Sequence, residues 1–215
     1  MIEWISTLTA PILIGLYLTA VILSLTMDWR LRFGGLAAQY ALTAALMAPL
    51  VIWQVAAVKA VVGVLIVVIL FISGRAVGFG RPPAAGAPPA GRLAAWRRIE
   101  FQTNLPFRIT AALLGTVAAW FFVTELGMVV PGLSPALNLA GMELIVLGLI
   151  SLGLTEEPLN AGIALLMLFN GFELLYTPVE RSLTVAGLLA AVNFGVALAV
   201  SHLTWLRHHT WDGAE

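Results

Sequence analysis

The sequence predicts an all-α protein, a polytopic bundle of about seven transmembrane helices. Three observations predict it: 60% of the 215 residues are hydrophobic, only 10% are charged, and long apolar stretches recur along the chain. The mean hydropathy is +0.99. Since a soluble domain carries roughly a quarter charged residues, this chain has too few polar groups to cover its surface in water. We therefore expect lipid to be its main solvent.

Seven apolar stretches are long enough to cross a bilayer, which requires about 17–25 residues. They cover residues 8–26, 33–53, 55–73, 107–124, 135–154, 159–177 and 182–205. Charged or proline-containing turns at 28–32, 131–135 and 156–158 separate several of them. Between the second and third stretches we expect a tight turn near Gln54. Pro49 predicts a kink in the second.

Arginine residues predict the orientation of the bundle. Two lie in the 28–32 turn, six between residues 75 and 108, and one at the start of the C-terminal tail. With seven spans, all three groups fall on one side, which the positive-inside rule makes cytoplasmic. The predicted topology is therefore N-out and C-in.

The predicted spans suggest a division of the chain into five parts. These are an N-terminal three-helix unit (1–76), a cytoplasmic Pro/Gly/Arg-rich linker (77–106), a connector helix with an outer loop (107–134), a second three-helix unit (135–206) and a cytoplasmic tail (207–215). The two units share orientation and a similar hinge, Leu23-Ser24-Leu25 in one and Ile150-Ser151-Leu152 in the other. Either a parallel repeat or a chance match between apolar sequences explains this similarity. Residues 92–100 of the linker are also compatible with a short amphipathic stretch at the interface.

Among the polar residues within the predicted spans, five are candidates for a functional site: Lys59, Glu143, Asn170, Glu173 and Asn193. A charge at mid-bilayer costs about 2.5–3.5 kcal/mol on insertion scales, so each charged member requires a reason. Asn170 precedes Glu173 by three residues and shares its helix face. We interpret the five as a proton relay centred on Glu173.

Other interpretations of these residues remain open. Lys59 is also compatible with snorkelling to the outer surface. Asn170 and Asn193 are also compatible with interhelical hydrogen bonds. Glu143 is also compatible with a partner subunit or an outer cleft. Gln39 is interpreted as a packing or interface group.

Motifs for chemistry on a substrate are not found in the sequence. It has no Walker motif, nucleophile elbow or HExxH, and no cysteine for a disulfide, a thiolate metal site or an iron–sulfur cluster. The net charge is zero, so nucleic acid is not an expected partner. We expect no catalytic residue, metal or cofactor on this chain.

The Gly171-Phe172-Glu173 segment is followed by a helix in which Asn193 lies among small residues. Over residues 135–206 this pattern resembles the K-type subunit of respiratory complex I and the C subunit of Mrp-type sodium/proton antiporters. Residues 29–35 with Gln39, and residues 58–66 with Lys59, resemble component E of hydrogenase 4 and formate hydrogenlyase complexes. This longer resemblance covers most of the chain outside the linker.

The resemblance implies a non-catalytic membrane subunit of a complex I-like ion-translocating assembly, in the inner (cytoplasmic) membrane of a bacterium or archaeon. The assembly would be a membrane-bound hydrogenase, an NADH-quinone oxidoreductase or an Mrp-type complex. Implied partners are other membrane subunits, including antiporter-like ones, which would carry any quinone or redox centre. Asn193 departs from the family, which has a second glutamate there, so a two-carboxylate path would need water or Glu143 as a substitute. The residues leave open a stand-alone small-solute or ion transporter, and a purely structural membrane spacer.

Overall fold

The computed structural model describes residues 2–26, 28–77, 105–180 and 182–212, and within them the side chains of residues 9–207. All regular secondary structure in these ranges is helical, which confirms the predicted all-α class. The helices are α1 (Ile2–Leu25), α2 (Trp29–Met47), α3 (Trp53–Ala76), α4 (Leu105–Thr124), α5 (Pro135–Gly153), α6 (Pro158–Tyr176) and α7 (Leu183–Asp212). Residues 78–104 of the predicted linker, including its amphipathic stretch, lie outside the described residues.

Five of these helices, α3 to α7, are long and apolar enough to cross a membrane. This confirms a multi-pass membrane protein at the level of helix length and composition. The apolar part of α1, Thr9–Leu25, is shorter. Helix α2 is 19 residues long and includes two arginines and Gln39. Membrane crossing by α1 and α2 stays a prediction.

Short polar and proline-containing segments begin several helices. The Asp28 side chain accepts a hydrogen bond from the amide two residues on, at 3.0 Å, and so caps α2. The Ser134 hydroxyl accepts from the Leu137 amide at 3.3 Å and caps α5. Pro135 and Pro158 lie in the first turns of α5 and α6. A missing amide hydrogen costs nothing there, because the first amides of a helix have no intrahelical partner.

Pro49 does not kink a span, so that prediction is wrong. Helix α2 ends at Met47, and Pro49 lies in the turn that follows it. Proline lacks the amide hydrogen that would continue the helical ladder, and the chain instead turns through a bond from the Leu50 amide to the Met47 carbonyl at 2.8 Å. Gln54 therefore lies in the first turn of α3 rather than between the helices.

Helices α1, α2 and α3 pack as successive neighbours, and so do α5, α6 and α7. Between these two groups α1 packs on α5, α2 on α6, and α3 on α7, while α4 packs on α1 and α5. The core between them contains Leu16, Leu36, Ile66, Leu144 and Leu166, all essentially inaccessible to solvent. Helix α6 thus contacts both groups, and it contains Glu173.

Helices α5 and α6 approach each other backbone to backbone. A Cβ atom on Gly171 would lie 2.5 Å from the Gly141 carbonyl oxygen, and one on Gly148 would lie 2.8 Å from the Leu168 amide nitrogen. Only glycine fits at such contacts, as is usual where membrane helices pack closely. Because Gly171 is two residues from Glu173, this contact fixes the depth and direction of the Glu173 side chain.

Candidate functional site

Four of the five predicted site residues come together in the space between α3, α6 and α7. Lys59 is 6% exposed and Glu173 is 8% exposed, and Asn170 and Asn193 are also buried. Each lies on a helix that is long and apolar enough to cross a membrane. The structure therefore assembles a buried charged cluster from Lys59 and three residues that lie more than 100 positions further along the chain.

An ion pair between Lys59 and Glu173 forms the centre of this cluster. The Lys59 ammonium donates to Glu173 Oε2 and, at 2.7 Å, to Asn170 Oδ1. Asn193 donates through its amide to Glu173 Oε1. Both carboxylate oxygens thus have a donor, one from α3 and one from α7. A buried charge requires such compensation, because it has lost its hydration.

Helix α2 completes the cluster through Gln39 and Tyr40. The Asn170 amide donates to Gln39 Oε1 at 3.4 Å, and Lys59 Nζ lies 5.1 Å from the centroid of the Tyr40 ring, a cation–π distance. The close approach of Tyr40 is possible because α3 has Gly63 there, where a Cβ would lie 2.7 Å from Tyr40 Cβ.

Both α2 residues also carry a buried polar atom without a hydrogen-bond partner among the described protein atoms. These atoms are Gln39 Nε2 and the Tyr40 hydroxyl. From the sequence, Gln39 is expected to be a packing or interface group, and Tyr40 has no predicted role. A signal was available, because Gln39, Tyr40 and Thr43 place three polar groups within one and a half turns of a predicted span.

Glu143 lies apart from the other predicted site residues. It is buried on α5, where its Oε1 accepts a hydrogen bond from the Thr116 hydroxyl of α4 at 3.0 Å. Its neighbour Leu144 faces Gly171 of α6 instead. Because the Glu143 carboxylate faces α4, it is not placed to substitute for an acid at Asn193.

A cavity of about 40 Å³ adjoins the ion pair. At about 10–15 Å³ per water molecule, it has room for roughly three. Its polar lining includes Lys59, Glu173, Asn193 and Tyr40, and at the ends of the helices Thr177 and Glu180. The pair is therefore buried in the protein and adjacent to a space that is large enough for water.

A second polar cluster lies at the opposite ends of the same helices. Arg32, at the start of α2, donates to the Thr26 carbonyl at 2.6 Å and to Asn160 Oδ1 of α6. Asn160 in turn donates to Glu157 at 2.9 Å. Burial raises the pKa of Glu157, which lies before α6, while the charges of Arg207 and Arg32 act in the opposite direction.

Arg108 of α4 extends this cluster toward α1. It is buried and donates to the Ser24 carbonyl at 3.1 Å, and the Ser24 hydroxyl accepts a hydrogen bond from the Ser151 hydroxyl of α5 at 3.1 Å. The sequence interpretation used Arg32 and Arg108 only as markers of orientation. Their burial is a tertiary property that hydropathy does not report.

Among the described residues, no group of three or more His, Cys, Asp or Glu side chains is placed to hold a metal ion. Comparison of the chain with protein-family models, curated proteins and solved structures finds no match. The resemblance to complex I-type subunits therefore stays a prediction.

Proposed function

We propose that the chain is a non-catalytic integral membrane subunit of a complex I-like ion-translocating assembly, in which it contributes a proton or ion relay centred on Glu173. One observation supports this proposal above the others: the buried Glu173 carboxylate is held by Lys59 and Asn193 beside a cavity with room for water. A carboxylate in such a position is a protonatable group with a route for proton exchange.

The Lys59–Glu173 pair couples protonation to charge. When Glu173 takes up a proton, its negative charge disappears and the Lys59 ammonium is left without its counter-ion. An unpaired buried charge is strongly unfavourable, so proton arrival favours either onward transfer or displacement of Lys59. Asn170 and Asn193, which bond the two charged groups directly, orient them for this exchange. Glu143, which accepts a hydrogen bond from Thr116 of α4, would act on a separate branch.

For the membrane arrangement we propose seven spans, N-out and C-in, with two three-helix units joined by α4. The contacts of α1 with α5, α2 with α6 and α3 with α7 support this, because equivalent helices of the two units lie side by side. The clustering of Arg32, Arg108 and Arg207 near Glu157 at one end of the bundle agrees with a single cytoplasmic face.

The proposed partners are other membrane subunits, including antiporter-like ones, and these partners would hold any quinone or redox centre. Large apolar side chains on the outside of α3 and α4, such as Val64, Ile72, Leu113 and Leu114, are exposed. They would contact lipid or those partners.

One observation favours an alternative, in which the chain is a purely structural membrane spacer. Every charged atom of the Lys59–Glu173 pair has a partner, so the cluster is also suited to joining α3, α6 and α7 without moving protons. The two functions make different predictions for a variant that keeps the shape of Glu173 and removes its charge.

Glu173→Gln in the native assembly tests the proposal. The glutamine keeps an acceptor oxygen for Lys59 but cannot release a proton. We expect the chain to co-purify with its partners in mild detergent, as identified by mass spectrometry, while proton translocation in vesicles falls by at least about tenfold.

The matched control is Glu125→Gln, an exposed carboxylate beyond α4, which should leave both readouts unchanged. Normal pumping by assembled Glu173→Gln would refute the relay. If Glu173→Gln fails to assemble, and the double variant Lys59→Met/Glu173→Gln restores both assembly and normal pumping, the structural spacer is favoured. A chain that purifies alone and transports in liposomes would refute the subunit assignment.

A further inference from the structure

The cavity beside the ion pair extends along one face of α7. It is lined there by Val185, Ala186, Leu189, Ala190 and Asn193. At 1.5 Å per residue, these positions cover roughly 12 Å of the helix. Val51 and Glu180, which also line the cavity, lie in the turns at 48–52 and 177–180. The cavity therefore leads from those turns to the ion pair.

A buried hydroxyl without a protein partner lies in the wall of this cavity. Tyr40 is only 2% exposed, it lines the cavity, and its hydroxyl has no hydrogen-bond partner among the described protein atoms. Buried hydroxyl groups are nearly always hydrogen-bonded, and the cavity has room for a water molecule that could satisfy one. The Tyr40 hydroxyl therefore has a hydrogen bond to offer to a water molecule in this region.

Apolar packing closes the route on the other side of the pair. Between Asn170 and Asn160 on α6, the inward side chains are Ile163, Leu166 and Met167, and at the same level α3 presents Ile66 and Leu70. All five are nearly or completely buried. This layer separates the ion pair from the Arg32 cluster by about ten residues of α6, roughly 15 Å.

We propose that the cavity is a one-sided water pocket. It connects the Lys59–Glu173 pair to the aqueous phase at the 48–52 and 177–180 turns, and its inner water bonds the Tyr40 hydroxyl. This inference rests on the proposed relay site and assigns its route of exchange: in this conformation, protons reach Glu173 from the side of those turns and not from the side of the Arg32 cluster.

Cysteine labelling tests the direction of access, and the chain has no cysteine of its own to interfere. The reagent is methanethiosulfonate ethyltrimethylammonium, which is membrane-impermeant because its quaternary ammonium has a fixed charge, and it is applied to either side of sealed vesicles that contain the full assembly. Ala186→Cys and Ala190→Cys place a thiol on the cavity wall at two depths. Ser182→Cys, in the exposed turn, reports which side the turns face.

Two control variants carry the same alanine-to-cysteine substitution on the same helix. Ala191→Cys lies beside Ala190 at the same depth but is exposed on the outside of the bundle, and Ala197→Cys is fully buried beyond the cavity. A thiol in lipid or apolar packing is inert, because the thiolate is the reactive form. We expect Ala190→Cys to react at least about tenfold faster than either control, and only from the side that labels Ser182→Cys.

Reaction of Ala190→Cys no faster than Ala191→Cys, or from the side opposite Ser182→Cys, would overturn the inference. Labelling does not depend on proton pumping, so the two proposals fail separately. A labelled pocket with normal pumping by Glu173→Gln would refute only the relay. An unlabelled pocket with pumping abolished in that variant would refute only the route.

Radiolytic hydroxyl-radical footprinting provides a second measurement on the unmodified protein. Radicals form from bound water and oxidise methionine beside it. Met47 lines the cavity and is 5% exposed, whereas Met167 lies in the apolar layer and is 1% exposed. We expect Met47 to oxidise severalfold faster than Met167, and Tyr40→Phe to reduce the Met47 rate by weakening water binding. Equal rates for the two methionines would contradict a water-filled pocket.

Discussion

Glu173 accepts hydrogen bonds from α3 through Lys59 and from α7 through Asn193. The two donors differ in what their loss would do. Loss of Asn193 removes a neutral donor, whereas loss of Lys59 leaves a buried carboxylate without a counter-ion. Removing one partner of a buried ion pair destabilises a protein by about 3–5 kcal/mol, while replacing both partners is often close to neutral.

Lys59→Met should therefore lower the unfolding midpoint of the purified protein in detergent, by an amount corresponding to about 3–5 kcal/mol. Adding Glu173→Gln should recover most of the loss, because it removes the unpaired charge. Thermal unfolding of the two single variants and the double variant measures the coupling. If the double variant were as unstable as the sum of the singles, the pair would carry no coupling energy.

At the scale of the helices, the α5–α6 contact positions the site. Glycines at 141, 148 and 171 remove the side chains that would hold these helices apart. The positions of the α6 site residues depend on that contact, since Asn170 lies directly before Gly171 and Glu173 two residues after it. Any change that separates α6 from α5 would also displace the carboxylate from Lys59.

Gly171→Ala and Gly187→Ala should change stability in opposite directions. A Cβ at Gly171 would lie 2.5 Å from the Gly141 carbonyl oxygen, whereas one at Gly187 has no atom within 4 Å. We expect Gly171→Ala to cost about 1–3 kcal/mol from overpacking and Gly187→Ala to gain up to about 1 kcal/mol from helix propensity. Thermal unfolding in detergent distinguishes them, and equal effects would show that the α5–α6 contact relaxes freely.

The helices themselves were largely predictable, whereas their contacts were not. Apolar length and punctuation by Asp28, Pro135 and Pro158 predicted the seven helices, because these signals are local. Pro49 was misinterpreted because proline ends a helix as readily as it bends one.

Periodicity placed Asn170 and Glu173 on one face of α6 but cannot report what that face meets. Lys59 is 114 residues from Glu173, and no pattern at that distance predicts the contact. For the same reason Glu143 was grouped with Glu173, although it lies against α4.

At the scale of the whole molecule, two polar clusters lie at different heights in an apolar bundle. The Arg32 cluster includes the starts of α2, α4 and α6, and the Lys59–Glu173 pair lies nearer the opposite ends. An apolar layer separates them. The protein is thus electrically asymmetric along the helix direction, with the excess of arginine at one end.

This asymmetry predicts the topology, which reporter fusions measure. Alkaline phosphatase is active only outside the cytoplasm, and green fluorescent protein fluoresces only inside it. We expect phosphatase inserted after Glu125 to be active, and fluorescent protein at the C-terminus to fluoresce. Phosphatase inserted at residue 155, between α5 and α6, is the control that should be inactive. The reverse pattern would refute the N-out, C-in arrangement.

The separation of Lys59 and Glu173 along the chain also bears on how the protein is made. Helix α3 enters the membrane while α6 is still to be synthesised, and the 114 positions from Lys59 to Glu173 take roughly 6–23 s at translation rates of about 5–20 residues per second. Throughout that time Lys59 has no Glu173 to pair with. Its position in the second turn of α3 allows its ammonium to stay at the membrane surface. The ion pair forms only when α6 inserts, so burial of Lys59 marks the step at which the first three helices join the last three.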